Sequence, residues 1–270
     1  MGLWFCDLCF GRVMDLKPGA GGQRVNRFVD PISYHFLQFL WRTLHLLVSL
    51  WYLQVSMVQM IEGFLISSGL VKRYGALDID KVRYLAIVVD SEEAYQISKV
   101  IQLLKWVEDM GVKHLCLYDS KGVLKTNKKT IMESLNNAMP FEEAVEKDVL
   151  LDQKQMTVEF ASSSDGKEAI TRAANVLFMK YLKYAKTGVG KEEPCFTEDQ
   201  MDEALKAIGY KGPEPDLLLI YGPVRCHLGF SPWRLRYTEM VHMGPLRYMN
   251  LGSLKKAIHR FTTVQQNYGT

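Results

Sequence analysis

The sequence predicts an α/β protein, a mainly parallel sheet flanked by helices, with an N-terminal membrane-associated helix in front of it. Three observations carry this reading. From residue 77 onward, short apolar runs rich in β-branched residues alternate with longer stretches of helical periodicity. Before them, Thr43 to Ile61 holds no formally charged residue. Finally, the 270 residues are 48% hydrophobic and 23% charged. That is enough for a full core, and it excludes disordered, collagen-like and coiled-coil classes.

Residues 1–35 read as an irregular segment, rich in Gly, Pro and Arg over 11–31. Cys6 and Cys9 form a lone C-x-x-C without the second pair that a zinc site needs, so no metal site is assigned. The five cysteines are odd in number and scattered, which fits a reducing compartment better than a disulfide framework. Met1-Gly2 opens like a myristoylation signal, but Cys6 stands where that signal has Ser or Thr.

Residues 36–66 are expected to form one membrane-spanning or interfacial helix. Thr43 to Ile61 would extend roughly 29 Å, about the thickness of a bilayer's hydrocarbon. Trp41, Trp51 and Tyr52 are residue types that favour the membrane interface. Against spanning stand His45, Gln54 and Gln59 within the stretch and Arg42 and Glu62 at its edges, polar groups that are costly in hydrocarbon. A helix lying in the membrane plane is the alternative, and a buried core helix a third reading, which Trp and Leu around most of the circumference speak against. Membrane lipid is therefore an expected partner.

The remaining chain, 77–270, is expected to fold as the main domain. Val82 to Val89 reads as a buried strand and Glu92 to Met110 as a helix with Ile97, Val100, Ile101, Leu104 and Val107 inward, ended by Gly111. His114 to Tyr118 is a second strand and Asn127 to Ala138 a second helix. Gln155 to Ala161 makes a strand, and Gly166 to Lys186 a long helix with Ala169, Ala173, Val176, Leu177 and Leu182 inward. Gly188 to Pro194 reads as a loop, Thr197 caps a short helix to Ile208, and Leu217 to Tyr221 is a further strand.

The whole chain carries a net charge of +3. Residues 1–76 hold 7 Lys and Arg against 4 Asp and Glu, and the remainder holds 26 against 26. A neutral main domain has no electrostatic footprint for nucleic acid. Working residues in such folds sit at the carboxyl ends of strands. Here those places read Asp90-Ser91-Glu92-Glu93, Asp119-Ser120-Lys121-Gly122 and Gly222-Pro223-Val224-Arg225. The first has no glycine for a phosphate cradle and two glutamates that would repel a diphosphate. G-x-S-x-G, H-E-x-x-H and the P-loop signature are all lacking. Asp90 is best read as the cap of the helix that follows it.

Pro215-Asp216-Leu217, then Phe230-Ser231-Pro232-Trp233 and Tyr237-Thr238-Glu239, resemble in sequence and spacing the end of cis-prenyltransferases. Leu85 to Asp90 and His114 to Tyr118 sit where that family has its first two strands, so the resemblance covers residues 77–270. It implies an undecaprenyl-diphosphate-synthase-like fold. It also implies lost catalytic equipment. The family's two diphosphate-binding arginines fall on Ile220 and Cys226, with Arg225 beside the latter, and its serine falls on Leu228. Ser91 to Ala94 replace the G-N-x-R that follows the catalytic aspartate, and Asp119 to Val123 replace a second signature. Asp90 and Glu239, the latter matching a metal-associated glutamate, remain. No catalytic residue is assigned to this chain.

A membrane-attached, degenerate domain of this kind is similar to the Nogo-B-receptor family and its plant leaf-wilting and cis-prenyltransferase-binding members. The resemblance implies a non-catalytic accessory subunit of dehydrodolichyl diphosphate synthase, inactive alone. Such a subunit pairs with a catalytic cis-prenyltransferase at the endoplasmic reticulum membrane, its main domain facing the cytosol. The complex adds isopentenyl diphosphate units to farnesyl diphosphate to make the precursor of dolichol for protein glycosylation. The Mg²⁺ of that reaction would be held mainly by the partner. A C-terminal R-x-G tail in the family assists substrate binding, and Asn267 and Gly269 stand in the matching places. The partner interface is expected around Phe230 to Met243, with Phe230, Trp233, Tyr237, Glu239 and Met240. The alternatives are a membrane-anchored receptor or scaffold that uses the fold only as a binding surface, and a self-sufficient enzyme with unusual residues.

Overall fold

The structure, a computed structural model, describes residues 31–71, 74, 77–142, 155–186, 196–209 and 212–264. The chain divides into two compact units, Met1–Phe64 and Leu65–Thr270. The expected loop at 188–194, the cysteines at 6 and 9, and the tail at 267–270 lie outside the described residues.

The N-terminal unit is dominated by helix α1, Pro31–Ser67, 37 residues long. The helix begins at Pro31, inside the stretch expected to be irregular, whose residues 1–30 lie outside the described residues. Its hydroxyls bond back to the preceding turn, Thr43 Oγ1 donating to the Phe39 carbonyl at 2.9 Å and Ser49 Oγ to that of His45 at 2.7 Å. Phe36, Phe39, Trp51 and Phe64 are exposed along it. Among the described residues no helix is long and apolar enough to cross a membrane. The spanning form of the expectation for 36–66 therefore finds no support. Polar side chains break the apolar run, starting with Arg42 and His45.

The second unit is built on a six-stranded sheet in the order β3-β4-β2-β1-β5-β6, parallel throughout. The strands are β1 Tyr84–Val89, β2 His114–Tyr118, β3 Ala138–Pro140, β4 Met156–Ala161, β5 Leu217–Tyr221 and β6 Glu239–Gly244. Side chains alternate between two cores. Leu85, Ile87, Leu115, Leu117, Leu217 and Leu219 share one, and Ala86, Val88, Cys116, Tyr118, Leu218 and Ile220 share the other. Burial on both faces is why β1 and β5 read as unbroken apolar runs.

The helices are α2 Ser91–Ala94, α3 Ile97–Asp109, α4 Val123–Thr126, α5 Lys128–Glu133, α6 Lys167–Lys186, α7 Glu198–Ala207 and α8 Leu251–Thr263. The expected helix Glu92 to Met110 is thus two helices, broken at Tyr95 and Gln96. The carboxylate of Glu93, 8% exposed, is drawn inward to accept the Leu246 amide at 2.7 Å. The expected helix Asn127 to Ala138 is shorter, and its last residue opens β3, an edge strand beside β4.

Helix α6 buries Ala169 and Ala173 against Ala204 and Leu205 of α7. Val176, expected inward, is exposed: the stripe Ala169, Ala173, Leu177 packs on the α7 cluster, and Val176 lies off it. Thr197 caps α7 as expected, in a reciprocal box with Gln200. Strand β6 and helix α8 lie beyond the elements that periodicity marked.

Candidate functional site

The carboxyl ends of β1, β2 and β5 bring Asp90, Asp119 and Gly222 together, the place where an open parallel sheet holds a ligand. The polar groups there are consumed by the fold. One carboxylate oxygen of Asp90 accepts the Glu92 amide at 3.2 Å, the capping role expected of it. Asp119 is 0% exposed, and its two oxygens accept the amides of Val123 and Leu124, each at 2.9 Å. Ser91 Oγ meets Ser120 Oγ at 2.9 Å and accepts the Lys121 amide at 3.1 Å.

The electrostatics match this. Carboxylates line the end of β1, and Ile220 is core. Arg225 and Cys226 are exposed on the loop after β5. The Tyr118 hydroxyl, pushed up to about 12 by burial and then by Asp119 and Asp165, stays protonated and donates to the Leu228 carbonyl. The phenol at this end is held by a carbonyl, and the Asp119 carboxylate is engaged by two amides. Among the described residues no three His, Cys, Asp or Glu side chains gather as metal ligands. Asp90 caps its helix, and Glu239 stands at the start of β6.

The second candidate region is the stretch from Phe230 to Met243. Phe230 is 1% exposed and packs edge-on to Tyr118 at 5.4 Å, so it belongs to the core and not to an interface. Trp233 is half-buried and lines a cavity of about 390 Å³ with Leu177, Phe196 and Met201. Its indole N–H donates to Asp202, and the Arg236 guanidinium lies 5.6 Å from its ring centre. Tyr237, at 62%, and Met240, at 43%, are exposed, and Glu239 is half-buried. Four of the five expected contact residues, all but Phe230, are thus reachable in whole or part on one short segment.

The residue that sequence reasoning missed is Arg234. It is 2% exposed, and it anchors this segment by pairing with Glu159 of β4. The available signal was the single charge inside the apolar run Met156 to Ala161. Asn267 and Gly269 lie outside the described residues.

No family model matches the chain. Relatives do. The dehydrodolichyl diphosphate synthase complex subunit NUS1 of Homo sapiens is 24% identical over 197 residues, 68% of this chain and 64% of the relative. The subunit of the same description from Mus musculus is 24% identical over 196 residues, with the same shares covered. That of Schizosaccharomyces pombe is 26% identical over 209 residues, 70% of this chain and 77% of the relative. The chain thus spans somewhat less than two thirds of the human and mouse relatives. Among solved structures, lavandulyl diphosphate synthase from Lavandula x intermedia aligns at TM-score 0.49 and 15% identity, covering 70% of this chain and 98% of that one. A probable undecaprenyl diphosphate synthase from Campylobacter jejuni aligns at TM-score 0.47 and 16% identity, with the same coverage.

Proposed function

Because the chain is a homologue of dehydrodolichyl diphosphate synthase complex subunits, we propose that it is the non-catalytic accessory subunit of such a complex. It pairs with a catalytic cis-prenyltransferase and raises that partner's activity in making long-chain polyprenyl diphosphate. The observation that carries this is the state of the sheet's carboxyl end, where Asp90, Ser91, Ser120 and Asp119 are all spent on holding helices and turns. A domain with that end closed to chemistry acts through another chain.

In this reading Trp233, Tyr237, Glu239 and Met240 face the partner. Exposed aromatic and Met side chains are types that interfaces favour. The Mg²⁺ of the reaction is held by the partner's residues. The tail contributes Asn267 as an amide donor and Gly269 as a close-approaching backbone to the partner's diphosphate site. Helix α1, apolar around most of its circumference and rich in exposed Phe, Trp and Leu, lies at the endoplasmic reticulum membrane, with the main domain in the cytosol.

The test is co-expression with a catalytic cis-prenyltransferase, followed by co-purification and an assay of isopentenyl diphosphate incorporation. Activity that needs both chains is the expected result. Incorporation by this chain alone would make it an enzyme, and pairing without any gain in turnover would leave only the scaffold reading.

A further inference from the structure

The crevice between the ends of β1 and β5 is filled by the chain itself. Among the described residues Leu228 is the sole non-glycine with positive φ, at 50°. That is a strained backbone for a branched side chain. A carbon added at Gly222 would stand 3.2 Å from Asp90 Cβ and 3.5 Å from Leu228 Cδ1. The Leu228 side chain therefore sits over the junction of the two strands, and it packs on the core that contains Tyr118 and Ile220. The next residue, Gly229, has φ 88°, and a carbon added there would lie 3.1 Å from the Tyr118 hydroxyl.

Beside the plug, His227 Nδ1 is buried without a hydrogen-bond partner, one of three such side-chain atoms among the described residues. Left-handed backbone at a leucine and an unsatisfied buried nitrogen both raise the energy of this arrangement. Packing holds it in place. Phe230 is sunk in the core, its amide donates to the His227 carbonyl at 2.8 Å, and the Tyr118 hydroxyl donates to the Leu228 carbonyl at 3.4 Å.

We propose that His227–Gly229 is a strap with two positions, hinged at the Phe230 anchor. Closed, Leu228 plugs the crevice. Open, Leu228 leaves the left-handed region, His227 is hydrated, and the ends of β1 and β5 at Asp90 and Gly222 are uncovered. The strap is a device of this chain's own fold and does not rest on the accessory-subunit reading.

The reporter is the Phe230 amide, whose bond to His227 exists only in the closed position. Its hydrogen exchange in the full chain is compared with that of the Ile220 amide in β5, which opens with the whole domain. The Phe230 amide should exchange faster by on the order of a hundredfold. Leu228→Ala shortens the plug and keeps the backbone strain, so it should raise the Phe230 exchange rate about tenfold. His227→Leu removes the unsatisfied nitrogen from the closed position and should lower that rate about fivefold. These opposite shifts are the signature of the strap. Equal exchange at Phe230 and Ile220, or a shift in one direction for both variants, overturns it.

Discussion

Arg234 and Glu159 form a two-armed ion pair in the interior, Nη1 to Oε1 at 2.9 Å and Nη2 to Oε2 at 2.8 Å. They lie 75 residues apart in the sequence, and the pair ties the segment that carries Trp233 and Tyr237 to the face of β4. The other donors of the guanidinium are satisfied too, Nε by the Pro213 carbonyl at 3.0 Å and Nη2 by the Tyr84 hydroxyl at 2.9 Å. Burial alone would weaken the charge on Arg234. Glu159 and the neighbouring polar groups outweigh burial and hold the guanidinium firmly protonated.

Breaking that pair from one side leaves a buried charge without its counter-charge. Arg234→Met is expected to lower stability by about 3–5 kcal/mol, measured by chemical denaturation. Arg234→Met combined with Glu159→Leu should recover much of the loss, since an apolar pair of similar volume replaces the charges. A single variant costing under about 1 kcal/mol would show that the pair is solvated.

His114 sets a pH dependence. Burial, and then the Lys113 charge, hold its imidazole below the usual histidine range, while Nδ1 meets Thr157 Oγ1 at 2.6 Å. The folded chain thus binds fewer protons than the unfolded chain once pH falls below about 6.5, the unfolded value. Stability should be level above that pH and fall as pH drops from about 6.5 until the folded group also protonates. A thermal melt series from pH 7.5 to 5 should show this slope, and His114→Gln should flatten it.

The two aspartates at strand ends differ in what they hold. Asp119→Ala removes two hydrogen bonds from a fully buried cap and should cost about 1–3 kcal/mol. Asp90→Ala loses one partly exposed capping bond and should cost about 1 kcal/mol or less. Turnover of the assembled complex should be unchanged by Asp90→Ala. Loss of turnover with intact assembly would return Asp90 to catalysis.

Tyr237→Glu places a charge on the exposed segment without touching the core. It should abolish co-purification with the catalytic partner and leave the melting temperature of this chain within a degree or two. Retained pairing would move the interface elsewhere on the domain.

Deleting Asn267 to Thr270 removes several N–H donors together and should raise the Michaelis constant for isopentenyl diphosphate or lower turnover, with the complex still assembled. Asn267→Ala removes one neutral amide and should cost only about 1 kcal/mol. Full activity from the truncated subunit would reduce the tail to an appendage.

The sequence by itself determined the strands β1, β2, β4 and β5. Their β-branched and leucine runs must be buried on both faces, and that requirement is local to each run. It determined the caps at Asp90 and Thr197, which depend on residues two or three positions away. It also carried the family likeness, through the order and spacing of Pro215 to Glu239, and the relatives found by comparison agree with it.

Tertiary structure decided which side each residue faces. A spacing motif fixes order along the chain and says nothing of burial, so Phe230 went to the core while Tyr237, from the same motif, stayed exposed. Helix α3 starts late because Glu93 turns to an amide 153 residues away, and Arg234 finds its partner 75 residues back. Strand β3 exists only because β4 offers it an edge. The closed strap at Leu228 belongs with these: its left-handed backbone runs against local preference, and only the packing of Phe230 and Tyr118 beneath it could impose that.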